Sequence, residues 1–150
     1  MLIIGCGNPG RADDAAGLLV ARRLRELGND AFEHCGEMLA LIETWSSAPE
    51  VIIIDAVVSG APPGTITVWD VWTTPLPPER FRCSTHALGL TETIELARVL
   101  DRLPPRIFLY GIEGTNFSRG GAVSSEVAEA VELLAEQIAV SWRKTDTLSQ

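Results

Sequence analysis

Positive charge is scarce in this sequence. Twelve Lys and Arg stand against 20 Asp and Glu, a formal net charge of −8. That balance argues against nucleic acid as a partner, because displacing counterions from phosphates needs a basic face. A cation, or a basic or metal-loaded protein, fits better. Long apolar runs are also missing. None approaches the ~18 residues of a membrane-spanning helix, so no membrane insertion is expected. Met1 leads straight into an apolar run, with no basic segment and hydrophobic stretch before it, so no secretory signal is expected. Cysteine is sparse and odd in number: Cys6, Cys35 and Cys83 show no framework spacing and are expected as reduced thiols in a cytoplasmic protein. There is no H-E-x-x-H helix and no G-x-S-x-G elbow, which sets aside two common hydrolase designs. No internal repeat occurs.

What is present is an ordinary domain's worth of chain, 150 residues of which 46% are apolar. The expected boundaries are one domain over 1–143 and a flexible tail over 144–150. Strand and helix signals alternate. Leu2-Ile3-Ile4 reads as a first strand. From Asp13 to Gly28 the apolar residues Ala16, Leu19, Val20, Leu24 and Leu27 recur at helical spacing, with Asp13 as N-cap and Gly28 as C-terminal stop. A short strand over 31–35 and a helix over 38–47 follow. Val51-Ile52-Ile53-Ile54 is a continuous β-branched run, the mark of a central strand covered on both faces. Residues 65–69 alternate polar and apolar. The loop before them is too short for a helical crossover, so this strand should run antiparallel to the third. Residues 72–85 form a proline-rich loop, 87–101 a helix, 106–112 the last strand and 122–142 the last helix. The expected fold class is α/β: a three-layer sandwich with a twisted, mostly parallel five-stranded sheet, one strand antiparallel, and helices on both faces.

The opening stretch IIGCGNPGRADDAAG contains Gly5, Gly7 and Gly10 at the G-x-G-x-x-G spacing of dinucleotide-binding turns. Such a turn works by aiming free backbone N–H groups and a helix N-terminus at a pyrophosphate. Here Pro9 removes one N–H from the turn. Asp13 and Asp14 put negative charge where the phosphates would sit. Two like charges a few ångströms apart repel by ~1 kcal/mol in water and by several times that in a partly dry site. Helix capping accounts for one acid at this place and leaves Asp14 over.

In doubly wound sheets, ligands bind outside the carboxyl ends of the strands. Two further polar residues fall there. Asp55 follows the run VIII, as a loop-capping aspartate or as a site acid. His86 closes the proline-rich loop and opens HALGL, as a helix-start histidine or as a ligand. Cys83 and His86 form a C-x-x-H pair, but a structural zinc site would need a second such pair and none exists. His34, beside Glu33, is expected to be structural. Asp14, Asp55 and His86 come from three elements whose loops share one sheet edge. Two carboxylates and an imidazole suit a borderline divalent ion such as nickel or zinc, and ligand type alone does not choose between them. The two acids could instead work as a proton-sharing pair.

Three separated stretches, IIGCGNPGRADDAAG, IIIDAVVSG and THALGL, together resemble the nickel–iron hydrogenase maturation endopeptidases in order, spacing and local context. The resemblance runs over nearly the whole chain. It implies an α/β sandwich and a late assembly step: removal of a short C-terminal extension from the hydrogenase large-subunit precursor once nickel is in place. It also implies metal-contacting residues in each motif, which by position are Asp14, Asp55 and His86. The nickel would be carried by the substrate rather than held permanently. Whether the cleavage is of aspartic type or assisted by the substrate's metal stays open, and a monomer suffices. Asp14 stands where many members have glutamate. Gly114, in GIEGTN, stands where proline is common. The alternatives from other classes are a nickel-binding assembly chaperone without proteolysis, a nucleotide-binding module using the glycine turn, and a different hydrolase, acting for example on peptidyl-tRNA, against which the acidic balance argues.

Overall fold

The computed structural model describes residues 1–76, Phe81 and residues 89–148, with the side chains of 145–147 excepted. Five strands form one sheet: β1 (Leu2–Cys6), β2 (Phe32–His34), β3 (Glu50–Val57), β4 (Ile66–Asp70) and β5 (Arg106–Glu113). Their order across the sheet is β2-β1-β3-β5-β4. All pairs are parallel except β4 with β5. The mostly parallel sheet with one antiparallel strand is therefore as expected. The placement of that strand is not simply beside β3. β4 pairs with β5, which lies between β4 and β3 in the sheet. A short connection sets the direction of the return but does not force the two strands to be neighbours, and the 58–65 segment is long enough to leave a strand's width open.

The α-helices among the described residues are α1 (Ala16–Glu26), α2 (Ala40–Trp45), α3 (Leu90–Val99) and α4 (Ser125–Leu148). The alternation of β3 divides the core. Ile52, Ile54 and Ala56 pack with Ala16, Val20, Ala21 and Leu24 of α1 and with Val127, Leu134 and Ile138 of α4. Val51, Ile53 and Val57 pack with Leu41 and Trp45 of α2 and with Leu90 and Ile94 of α3. This explains the unbroken aliphatic run: both faces of β3 are covered. Fully burying each such side chain is worth about 1.5–3 kcal/mol. Helices thus cover both faces, making three layers.

Local boundaries follow the local chemistry. α1 ends at Glu26, and Gly28 turns the chain at φ +87°, as its place in the pattern predicts. The start of that helix differs from expectation. A 3₁₀ helix, Ala12–Ala15, precedes α1, and neither has a side-chain cap. Asp13 is not an N-cap, because its carboxylate is used elsewhere. α4 runs to Leu148, past its expected end at 142 and through the start of the segment expected to be a flexible tail. No described helix is long and apolar enough to cross a membrane.

Candidate active site

The carboxyl ends of β1, β3 and β5 lead into the segments of Asp14, Asp55 and Glu113. The glycine turn begins there. A Cβ built on Gly5 would lie 1.9 Å from the carbonyl oxygen of Gly17. One on Gly17 would lie 2.2 Å from the Ile54 oxygen and 2.3 Å from the Cys6 oxygen. One on Gly7 would lie 2.2 Å from the Asp14 oxygen. Gly5, Gly7 and Gly17 therefore let the start of α1 lie directly on the backbone of β1 and β3. The spacing that resembles a phosphate turn is a packing device.

The donors of the turn are also occupied. Gly7 N–H donates to the His34 carbonyl (3.2 Å) and Asn8 N–H to that of Asp14 (3.2 Å). Gly10 N–H donates to Asn8 Oδ1 at 3.0 Å. Arg11 N–H donates to the Asn8 carbonyl and Asp14 N–H to that of Arg11. Pro9 has none to offer. Without free amides converging on one point, the turn lacks the cradle a pyrophosphate requires. The nucleotide-binding alternative loses its structural basis.

Asp13 is fully buried and belongs to a different element from the one its sequence position suggests. Its Oδ2 accepts the N–H groups of Thr115 and Asn116, both at 2.9 Å. Its Oδ1 accepts the Ser124 N–H at 2.8 Å, and the Ser124 hydroxyl lies within 3.0 Å of both oxygens. Burial alone pushes this carboxyl up, but the three backbone donors and the hydroxyl outweigh it and hold it below its ordinary value. Asp13 thus ties the β5–α4 loop to the opening turn.

Asp14 and Asp55 are both buried, at 2% and 0% exposure. Asp14 precedes α1 by two residues, so the positive end of that helix favours its charge by about 0.3–1 kcal/mol. Asp55 lies within β3, not after it, opposite Gly111 of β5. The β1–β3 pairing ends at Gly5 and Ile54, so Asp55 emerges one residue past the last β1 pair. Its Oδ1 accepts the Ala56 N–H at 2.8 Å. By strand alternation its side chain points to the face holding Val51, Ile53 and Cys6, the face of α3. Gly17 touches the backbone of Ile54, and Asp14 lies one turn before Gly17. The fold thus brings both predicted acids to one edge. Burying carboxylates is costly unless a partner or function retains them. His86 and Cys83 lie outside the described residues. Among the described residues there is no cluster of three or more His, Cys, Asp or Glu side chains fit for a metal.

A fourth buried carboxylate, Glu113, was not anticipated. It ends β5 and accepts the Ser59 N–H and hydroxyl, both at 2.8 Å, and the Gly60 N–H at 3.0 Å. It fixes the loop that leaves β3 just after Asp55. The signal was available: Glu113 follows the apolar strand RIFLYGI just as Asp55 follows VIII. Next to it, the amide of Gly114 donates to the Val57 carbonyl at 3.1 Å, and a Cβ there would lie 2.6 Å from the Phe117 ring. The departure from proline at 114 thus matches a bond that proline could not make. His34 is half-buried and bonded through Nε2 to the Glu37 carbonyl at 2.9 Å, a local turn contact. Cys35 is an exposed free thiol, and Cys6 is buried.

A three-layer α/β fold with two buried aspartates at the carboxyl edge of its central strands defines the class. The family model described as hydrogenase maturation protease matches residues 36–141. The chain belongs to the hydrogenase maturation protease family, a family of peptidases. It is 26% identical over 143 residues to the hydrogenase expression/formation protein HoxM of Cupriavidus necator, covering 91% of this chain and 71% of that protein. Among solved structures it resembles the [NiFe] hydrogenase maturation protease HycI of Thermococcus kodakarensis, with 31% identity, 92% and 88% of the two chains covered, and a TM-score of 0.69. It also resembles HybD of the same organism, with 28% identity, 91% and 95% covered, and a TM-score of 0.72.

Proposed function

We propose that this protein is the endopeptidase that removes the C-terminal extension of a nickel–iron hydrogenase large-subunit precursor after nickel insertion, and that it recognises the seated metal. The observation carrying this reading is the burial of Asp14 and Asp55 together at the carboxyl edge, in a chain of this family. Asp14, Asp55 and His86 are the proposed contacts to the precursor's nickel, which is substrate rather than resident cofactor. Two carboxylates at one sheet edge attract a divalent cation and offer it oxygen ligands. A metal-free precursor would lack this attraction and bind poorly. This is the proposed gate.

The same two acids supply the chemistry. With the precursor docked, the scissile carbonyl lies beside them, and one carboxylate takes a proton from the attacking water. Polarisation of the carbonyl by the substrate's metal would lower the barrier further. The partner is the precursor alone; one copy of the chain suffices, in the cytoplasm. The test is to mix the purified protein with nickel-loaded and with nickel-free precursor and weigh the products by mass spectrometry. Release of the C-terminal peptide from the loaded form only is expected. Equal cleavage of both forms removes the metal gate. Binding without any released peptide would make the protein an assembly chaperone.

A further inference from the structure

Six of the described arginines sit beside carboxylates: Arg22 and Arg25 on Glu33, Arg23 on Glu26 and Glu132, Arg98 on Glu95, Arg102 on Glu43 and Arg106 on Glu50. Arg11 and Arg119 have no carboxylate partner among the described residues. In a chain carrying 20 acids and a net charge of −8, two unneutralised guanidiniums are notable by composition alone. They are also together. Arg11 and Arg119 line one cleft of about 590 Å³, together with Asn8 and Gly10 among the described residues.

The cleft is held in shape from both sides. The Gly120 N–H donates to the Gly10 carbonyl at 3.0 Å, joining the loop of Arg119 to the turn of Arg11. Asp13 fastens the same loop through Thr115, Asn116 and Ser124. The cleft also abuts the proposed site. The Arg11 carbonyl accepts the Asp14 N–H at 3.0 Å, and the Asn8 N–H donates to the Asp14 carbonyl at 3.2 Å. Because the backbone N–H groups of Asn8, Gly10 and Arg11 are taken, the charged donors a ligand meets are the two guanidiniums, which match a planar carboxylate.

We infer that the Arg11–Arg119 cleft binds a carboxylate of the precursor's C-terminal extension and so positions the segment to be cut beside Asp14. The inference rests on the maturation-protease reading for its partner. The extension is the indicated source because the cleft lies one 3₁₀ turn from the acid proposed to meet the substrate's metal. An acidic side chain of the extension and its terminal carboxylate offer the same chemistry.

The test measures binding apart from cleavage. The affinity of nickel-loaded precursor is determined for the wild-type protein and for Arg11→Gln, Arg119→Gln and the double variant, across a salt series. Both residues are at the surface, and unchanged circular dichroism checks the fold. The double variant should lose about tenfold or more in affinity, the scale of charge-assisted hydrogen bonds, and most of its salt dependence. In cleavage, KM should rise while kcat changes little. A precursor whose extension has Asn and Gln for its acids, and a synthetic extension peptide with an amidated terminus, separate the two sources. Whichever removes the relevant carboxylate should weaken wild type and leave the double variant unaffected. Unchanged affinity of the double variant for unaltered precursor overturns the inference. Arginine-dependent binding with no peptide released would instead overturn the proteolytic reading and leave the cleft standing.

Discussion

Gly5 and Gly17 meet backbone to backbone, so closely that a methyl group on Gly5 would stand 1.9 Å from the Gly17 carbonyl oxygen. This contact seats α1 on β1, and Gly17 in turn lies on the backbone of Cys6 and Ile54. The clashing atoms are backbone and cannot swing away. Gly17→Ala should therefore destabilise the protein by roughly 1–3 kcal/mol or more, the range of overpacked cores. The midpoint of urea unfolding measures it. A wild-type midpoint would mean that helix and sheet separate more cheaply than the contact implies.

Asp13 links stability to pH. Its carboxyl is held below the ordinary value of 3.8 by the Thr115, Asn116 and Ser124 donors, against the opposing push of burial. A depressed native pKa contributes stability that is fully present above the unfolded value. The contribution is lost as pH falls from about 4 through the lower native value. Asp13→Asn should lose this contribution, so the gap between wild type and variant should be wide at pH 6 and narrow on acidification. Stability curves for both proteins at a series of pH values check this. A gap independent of pH would show that the charge of Asp13 contributes nothing.

Asp55→Asn separates folding from function. The amide oxygen can still accept the Ala56 N–H, so the variant should stay folded. Processing of nickel-loaded precursor should fall by about 10²-fold or more, the usual loss for an acid–base group. Asp14→Asn should behave alike, whereas Asp14→Glu, which keeps an acid on a longer arm, should keep measurable activity. Full processing by the asparagine variants would remove these acids from the site.

Glu113→Ala should loosen the loop after β3. The Ser59 and Gly60 N–H groups, which share Oε1, would lose their acceptor. A loss of about 1–3 kcal/mol is expected for buried donors left unsatisfied. Hydrogen exchange at Ser59 and Gly60 should quicken more than exchange in β2. Unaltered protection there would show that the loop holds itself.

Much of the fold was legible along the chain. The run at 51–54 marked β3 as doubly covered because parallel strands between helix layers lose their polar alternation. Gly28 marked the end of α1 because the left-handed φ of +87° favours glycine. The order β3-β5-β4 was not legible, since neighbours in a sheet are chosen by packing across the whole chain. The acids divided in the same way. Asp14 stood out as a second acid at a helix start where one cap suffices, and Asp55 by its place after an apolar run. Asp13 looked like a cap, because its real partner, Ser124, is 111 residues away.

By itself the sequence determined the fold class, the acidic character, and the identity of the acids at the strand ends, because these depend on local pattern and on residue chemistry. Only the tertiary structure decided that Gly5, Gly7 and Gly17 serve backbone packing, that Asp13 holds a distant loop, and that Arg11 and Arg119 share a cleft. Those roles depend on which atoms meet across the chain, and such meetings are set by close packing and hydrogen-bond satisfaction rather than by spacing along it.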